Sequence, residues 1–138
     1  MSTPQVVDDA IRRGEFSEAS ELVEQWLAAH PLDPKANTYG ASLHLRQGRP
    51  ERALEAACLA ARLVPDSAEV HYYMGCAHQA LGALGEAVAC HREATMLEPT
   101  RAEFWVALAA ALRAVSDTDG ATVALRHALK YCPGQAPV

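Results

Sequence analysis

Histidine and cysteine are the residue types in this chain that could bind a metal or move protons, and there are six of the first and four of the second. His71 and His78 lie seven residues apart on one predicted helix, and His91 lies on the helix predicted to pack across from it. Cys76 and Cys90 fall on the same two helices, so these side chains raise the hypothesis of a metal site. However, no cysteines have the short paired spacing of a structural zinc site. We therefore predict no metal and no other cofactor.

The sequence also lacks the short motifs that carry catalytic chemistry. It contains no GxSxG, no HExxH and no glycine-rich phosphate loop, and no pair of carboxylates stands out as an acid and base. We therefore predict no catalytic residues and no enzymatic activity.

Charge and composition exclude further classes of function. The 138 residues carry a formal net charge of −5, so there is no basic field to hold nucleic acid. No apolar run approaches the roughly 20 residues that a membrane-spanning helix needs. The first residues do not resemble a secretory signal, and the cysteines without a CxxC pair fit reduced thiols. These features predict a cytoplasmic protein with no nucleic-acid partner and no membrane insertion.

The elements that would position these side chains follow a period of 34 residues. Proline recurs at the end of each period, small residues recur inside it, and glycine lies near its middle. The aligned sets are Pro31, Pro65, Pro99 and Pro133; Ala19, Ala53, Ala87 and Ala121; Gly14, Gly48 and Gly82, with Ser116 in the fourth place; and Ala60, Ala94 and Ala128, with Trp26 in the first place. Such a period is typical of stacked repeats, in which one unit cannot bury its apolar face alone. We expect Trp26 to lie in the core.

Each period predicts two antiparallel helices. In the third, Val70, Met74 and Ala77 recur at helical spacing, Gly82 stops the helix, and a second apolar run follows. This reasoning predicts an all-α fold with helices over about 4–13, 18–29, 35–47, 50–63, 68–81 and 84–97, a fourth period beginning near Phe104 and Trp105, and a last helix to about 131. Ser17 is the predicted N-cap of the second helix, and Asp117, Thr118 or Asp119 that of the last.

These positions resemble the tetratricopeptide repeat. The matching residues are His71, Met74, Gly75, His78, Gly82, Ala87, His91, Ala94 and Pro99 in the third copy, and Trp105, Leu108, Ala109, Leu112, Ser116, Ala121, Leu125, Ala128 and Pro133 in the fourth. The resemblance implies a right-handed α-solenoid of four helix-turn-helix hairpins in a single domain, 1–138, with repeats of about 1–33, 34–67, 68–101 and 102–135. It places His44, His71, His78 and His91 where the family has packing aromatics, which implies a structural role for them.

The resemblance also implies a protein-binding surface, because the first helix of each hairpin lines a concave groove in the family. Carried over to this chain, the expected peptide-binding residues are Arg12, Thr38, Tyr39, Ser42, Arg46, Tyr72, Tyr73, Cys76, Val106 and Arg113. We expect the three tyrosines to converge on one wall as contact residues. The alternative is that they partly pack between helices. The arginines indicate a partner segment with some acidic character. The carboxylate clamp of the co-chaperone subtype is absent in either alignment.

Together these features predict a protein–protein interaction scaffold that holds a peptide or protein segment in the groove. The alternative is an appendage of a larger enzyme, which recruits substrate or mediates self-association through Val123, Leu125 and Leu129 of the last helix. A stack of helical hairpins normally needs a polar cap over its last apolar face, and no further helix is predicted. The tail PGQAPV resembles a linker, which slightly favours a longer protein.

Overall fold

The computed structural model describes residues 2–132, and every regular element in that range is an α-helix. Pro133 and the linker-like residues after it lie outside the described residues. The helices are α1 (Thr3–Arg12), α2 (Phe16–Ala29), α3 (Pro34–Arg46), α4 (Pro50–Leu63), α5 (Ala68–Ala80), α6 (Leu84–Leu97), α7 (Ala102–Ala114) and α8 (Thr118–Lys130). The prediction of an all-α fold made of helical hairpins is confirmed.

The chain divides into two compact units, the first ending at Pro65 and the second beginning at Asp66. In the first unit, α2 packs against α1 and α3, and α3 packs against α4. In the second unit, α6 packs against α5 and α7, α7 packs against α8, and α5 also contacts α7. Each unit therefore contains two of the predicted hairpins.

One tight turn joins the two helices of every hairpin. In each, a backbone N–H donates to a carbonyl five residues earlier, over 2.8–2.9 Å; the pairs are Glu15 to Ala10, Arg49 to His44, Ala83 to His78 and Asp117 to Leu112. The residue before each donor has a left-handed φ: 75° at Gly14, 70° at Gly48, 80° at Gly82 and 67° at Ser116. This is the Schellman closure of a helix C-terminus. Ser116 breaks the glycine pattern but keeps the backbone conformation.

The turn also decides where the second helix of a hairpin begins. α2 begins at Phe16, and its N-cap residue Glu15 makes no side-chain capping hydrogen bond. The prediction of Ser17 as the N-cap is therefore wrong, because the turn already fixes Glu15, whose carbonyl accepts from the N–H of Ala19 at 3.0 Å. In α8 the prediction holds, since Asp117 Oδ1 accepts from the N–H of Gly120 at 2.9 Å.

The core of the first unit explains why Trp26 replaces a small residue. It is buried among side chains of α1, α2 and α3, as predicted for a core residue. Its indole Nε1 donates to Asp33 Oδ2 at 3.2 Å, and Asp33 Oδ1 caps α3 by accepting from the N–H groups of Lys35 and Ala36. One carboxylate thus connects the end of the first repeat to the start of the second.

In the second unit, small residues bring α5 and α6 close together. Ala87 and Ala94 are fully buried, and the ring of His91 lies directly against Gly75, where an added Cβ would fall 2.6 Å from a ring atom. His91 is itself 1% exposed. Among residues 2–132, neither of its ring nitrogens has a hydrogen-bond partner, and burial lowers its pKa to about 4. His91 therefore acts as a neutral ring in the core.

Candidate protein-binding faces

The first helices of the hairpins carry the predicted contact residues, and in the first unit Tyr39 belongs partly to the packing. It is half-buried on α3, and its hydroxyl donates to Asp8 Oδ1 of α1 at 2.6 Å. Its ring centroid lies 6.1 Å from that of Trp26. Tyr39 therefore connects α1 to α3, and only part of its surface remains for a partner.

The other predicted contact residues of the first unit are half-buried or exposed. Thr38 and Ser42 are half-buried, and the Thr38 hydroxyl donates to the carbonyl of Pro34 at 2.7 Å. Arg12 and Arg46 are exposed. Arg46 lies with its guanidinium carbon 4.8 Å from the centre of the Phe16 ring, and Arg12 is 3.9 Å from Asp9.

In the second unit, Tyr72 of α5 is anchored by three aromatic neighbours. Its ring centroid is 5.3 Å from those of Tyr73 and Phe104 and 5.7 Å from that of His91. Burial, followed by the neighbouring Cys76 and Glu103, raises the pKa of Tyr72. Burial likewise raises the pKa of the Cys76 thiol, although its hydrogen bond with Tyr72 acts the other way. Both groups are neutral near pH 7, and the half-buried Tyr72 ring packs against its aromatic neighbours.

Tyr73 is half-buried, like its neighbour Tyr72. Its hydroxyl donates to Glu69 Oε1 one turn earlier in α5, at 3.1 Å in an exposed setting. The ring therefore has a fixed direction, supported by Tyr72 on one side and by Glu69 at its tip. An ordered aromatic side chain of this kind loses little freedom when it contacts a partner.

α7 contributes exposed residues at three- and four-residue intervals. Val106 is 50% exposed, and Glu103 and Arg113 are exposed at the two ends of the helix. Between them, Ala107 and Ala110 have small side chains that project little from the helix. α5 contacts α7, and the rings of Tyr72 and Phe104 join the two helices. We call the surface formed by Glu69, Tyr72, Tyr73, Cys76, Glu103 and Val106 the α5–α7 face.

Arg101 is a residue of this region that the sequence reasoning missed. Its guanidinium carbon lies 4.3 Å from the centre of the Phe104 ring, and it pairs with Glu103 and, at 3.5 Å, with Glu98. Burial lowers its pKa, but Glu103, Glu98 and Glu69 raise it, and the net direction is upward. The signal available in the sequence was an arginine placed just before a helix with an acidic first turn.

The outer face of α8 has a different character. Leu125 is 40% exposed, Leu129 58% and Val123 51%. Leu125 and Leu129 occupy the repeat positions of Val23 and Leu27, which lie against α3, 3.8 Å from the Cβ position of Gly40. In α6 the same positions hold His91 and Thr95, both buried. Two leucines are therefore exposed at positions that are buried or half-buried in α2, α4 and α6.

Within residues 2–132, no group of three or more histidine, cysteine, aspartate or glutamate side chains is arranged to hold a metal ion. In the same range, no helix combines the length and apolar character needed to cross a membrane.

Comparisons with known proteins agree on the fold. No protein-family model and no curated protein sequence matches the chain. A crystal structure of MamA is 22% identical in sequence, and the match covers 94% of this chain and 75% of the MamA chain, with a TM-score of 0.81. TTC0263, a thermophilic TPR protein of Thermus thermophilus, is 21% identical over 94% of this chain and 73% of its own, with a TM-score of 0.85. MamA of Desulfovibrio magneticus RS-1, from residue 41 to its end, is 16% identical over 98% and 76%, with a TM-score of 0.84. The chain thus has the fold of a tetratricopeptide-repeat protein.

Proposed function

We propose that the chain is a protein-binding module that holds a peptide or protein segment on the first helices of its hairpins. The observation that carries this proposal is the α5–α7 face. There the half-buried Tyr73 ring and the half-exposed Val106 present apolar surface, and Tyr72 is held by its ring contacts with Tyr73, His91 and Phe104. A tyrosine with a fixed ring supplies a large contact area at low entropic cost, as at many interaction hot spots.

The binding mechanism is a preformed surface. Exposed side chains stand on helices whose other faces are buried in the core, so association costs little ordering of the module. The predicted residues Arg12, Thr38, Tyr39, Ser42 and Arg46 extend the proposal to the first unit. Tyr72, Cys76 and Arg113 belong to it in the second. We infer no catalytic role, and we place the protein in the cytoplasm because its cysteines lack a paired spacing and fit reduced thiols.

Affinity capture from source-cell lysate tests this function. The immobilised wild-type chain is compared with Tyr73→Ser/Val106→Ser, and captured proteins are quantified by mass spectrometry. Val115→Ser is the matched control, because Val115 is also exposed but lies at the α7–α8 turn. We expect a protein captured by the wild type and the control and lost from the double variant. Equal capture by all three would contradict the proposal.

Self-association through α8 is a second candidate, favoured by the exposure of Val123, Leu125 and Leu129. It predicts that the wild type sediments above monomer mass at micromolar concentration, and that Leu125→Glu/Leu129→Glu sediments as a folded monomer. Gln25→Glu/Ala89→Glu adds the same two charges at exposed positions of α2 and α6 and controls for a general effect of charge. Monomeric wild type at high concentration would exclude this candidate.

A further inference from the structure

The α5–α7 face carries two exposed carboxylates at one end. Glu69 and Glu103 are equivalent positions of two successive repeats, 34 residues apart, and each lies in the first turn of its helix. The packing of α5 on α7 therefore brings the two first turns to the same end of the face. Tyr73 lies one turn from Glu69, and Val106 lies one turn from Glu103.

The charges at this end do not cancel. Arg101 is the cation there, and it pairs with Glu103 and Glu98 while also lying within electrostatic reach of Glu69. Three carboxylates thus surround one guanidinium. Arg113 is the other cation of α7, but it lies ten residues from Glu103, or about 15 Å along the helix.

The carboxylates also have structural roles, since an acidic residue in the first turn stabilises a helix. That role explains why each helix has one carboxylate in its first turn. It does not explain which side chains lie beside the two carboxylates. Glu69 is held beside the Tyr73 ring by a hydrogen bond, and Glu103 keeps 57% of its side chain exposed despite its contact with Arg101. Both carboxylates therefore remain exposed, and in each the hydrogen bond described above is accepted by one oxygen, Oε1.

From this geometry we propose that the α5–α7 face binds a basic protein segment, in which a lysine or arginine accompanies an aliphatic or aromatic residue. The apolar side chain packs against Tyr73 and Val106, and the cation lies between Glu69 and Glu103. A tyrosine ring beside a carboxylate suits a cation, since the ring face attracts positive charge as well. The proposal rests on the protein-binding function above. The partner proposed for this face is basic, whereas Arg12, Arg46 and Arg113 indicated an acidic partner in the sequence.

The remaining charges of the unit agree with a basic partner. From Asp66 onward the sequence has five lysine and arginine residues against eight aspartate and glutamate residues, 5 − 8 = −3. A negative field of this kind accelerates the approach of a cationic segment, and salt weakens the effect.

Selection from a phage-displayed library of random dodecapeptides tests the inference with the full chain. We expect wild-type protein to enrich peptides that combine lysine or arginine with an aliphatic or aromatic residue. The strongest of them, made synthetically, should bind roughly tenfold more weakly to Glu69→Gln/Glu103→Gln, with a smaller salt dependence. Glu86→Gln/Glu93→Gln removes two exposed charges of α6 and should leave the affinity unchanged.

The outcomes separate this inference from the function beneath it. Enriched peptides that are acidic or neutral, or that bind equally to the Glu69→Gln/Glu103→Gln variant, overturn the basic-segment proposal while leaving a binding module. Failure to enrich any peptide relative to Tyr73→Ser/Val106→Ser contradicts the proposed binding function itself. Circular dichroism of each variant confirms that the fold is intact.

Discussion

Ser116 has a backbone conformation that the other three hairpins assign to glycine. Its φ of 67° matches the 70–80° of Gly14, Gly48 and Gly82, and an L-residue in this left-handed region costs about 1–2 kcal/mol. Replacing Ser116 with glycine removes this cost, but the gain is partly offset because glycine is more flexible in the unfolded chain.

Ser116→Gly should therefore stabilise the protein, by about 0.5–1 kcal/mol in the free energy of unfolding. Urea unfolding followed by circular dichroism measures the change. The reverse substitution Gly82→Ser is a matched control, because an added Cβ at Gly82 meets nothing within 4 Å, so only the backbone conformation is tested. It should destabilise by a similar amount, and equal stability of all three proteins would contradict this account of the turn.

His91 makes stability depend on pH. Its folded-state pKa of about 4 lies below its ordinary value of 6.5, so the unfolded chain binds a proton first as the pH falls. The contribution of the neutral ring is complete above about pH 6.5 and is lost progressively down to about pH 4. Between about pH 7 and about pH 5, this residue should lower the free energy of unfolding by about 2 kcal/mol.

The variant His91→Leu isolates this effect. It should lose correspondingly less stability than the wild type over the same interval, which chemical unfolding at the two pH values measures. Since leucine also removes two buried nitrogens that lack partners among residues 2–132, we expect no large loss at neutral pH. The same pH dependence in both proteins would show that His91 does not carry it.

Individual side chains were the part of the molecule that the sequence predicted least well. The resemblance to the tetratricopeptide repeat implied a packing role for His91, because the family has an aromatic residue at this position, and the side chain is buried. It could not show that Tyr39 donates its hydroxyl to Asp8, 31 residues away, or that Arg101 lies on Phe104. Those contacts depend on side-chain length and direction across two helices, which a period of apolar residues does not encode.

At the scale of elements, helix ends followed from local chemistry where a proline or apolar run defines them. α4 and α6 have the predicted bounds, 50–63 and 84–97. Ser17 misled because serine is a good N-cap in general, whereas here the preceding Schellman turn determines the start of α2. The turn depends on the backbone conformation of residue 14, and a preference for capping side chains does not detect it.

The close packing of α5 and α6 gives an element-scale prediction. Ala87 is fully buried, so Ala87→Leu should force the helices apart and cost about 1–3 kcal/mol. Ala89→Leu places the same side chain on the exposed side of α6 and should leave stability nearly unchanged. Thermal unfolding of the two variants and the wild type decides the matter, and an unaltered melting temperature for Ala87→Leu would contradict the packing described for this hairpin.

At the scale of the whole molecule, the repeat period predicted the fold but not the character of its surfaces. Alanines and glycines at fixed spacing require close helix packing, and this requirement limits the architecture to hairpins. The residues that line the first helices do not have to meet this packing requirement, so their chemistry varies between repeats. α1 and α3 share the Asp8–Tyr39 hydrogen bond, whereas α5 and α7 present carboxylates beside Tyr73 and Val106. For this reason the sequence indicated a binding surface without establishing the charge of its partner.

Amide chemical-shift mapping by NMR shows directly whether a partner binds the α5–α7 face. The ¹⁵N-labelled chain is titrated with the strongest peptide from the library or with the protein captured from lysate. We expect the largest shifts in α5 and α7, around Glu69, Tyr73, Glu103 and Val106, with little change on the outer face of α8. Shifts confined to α8, around Leu125 and Leu129, would contradict this expectation and place the binding surface on the last helix.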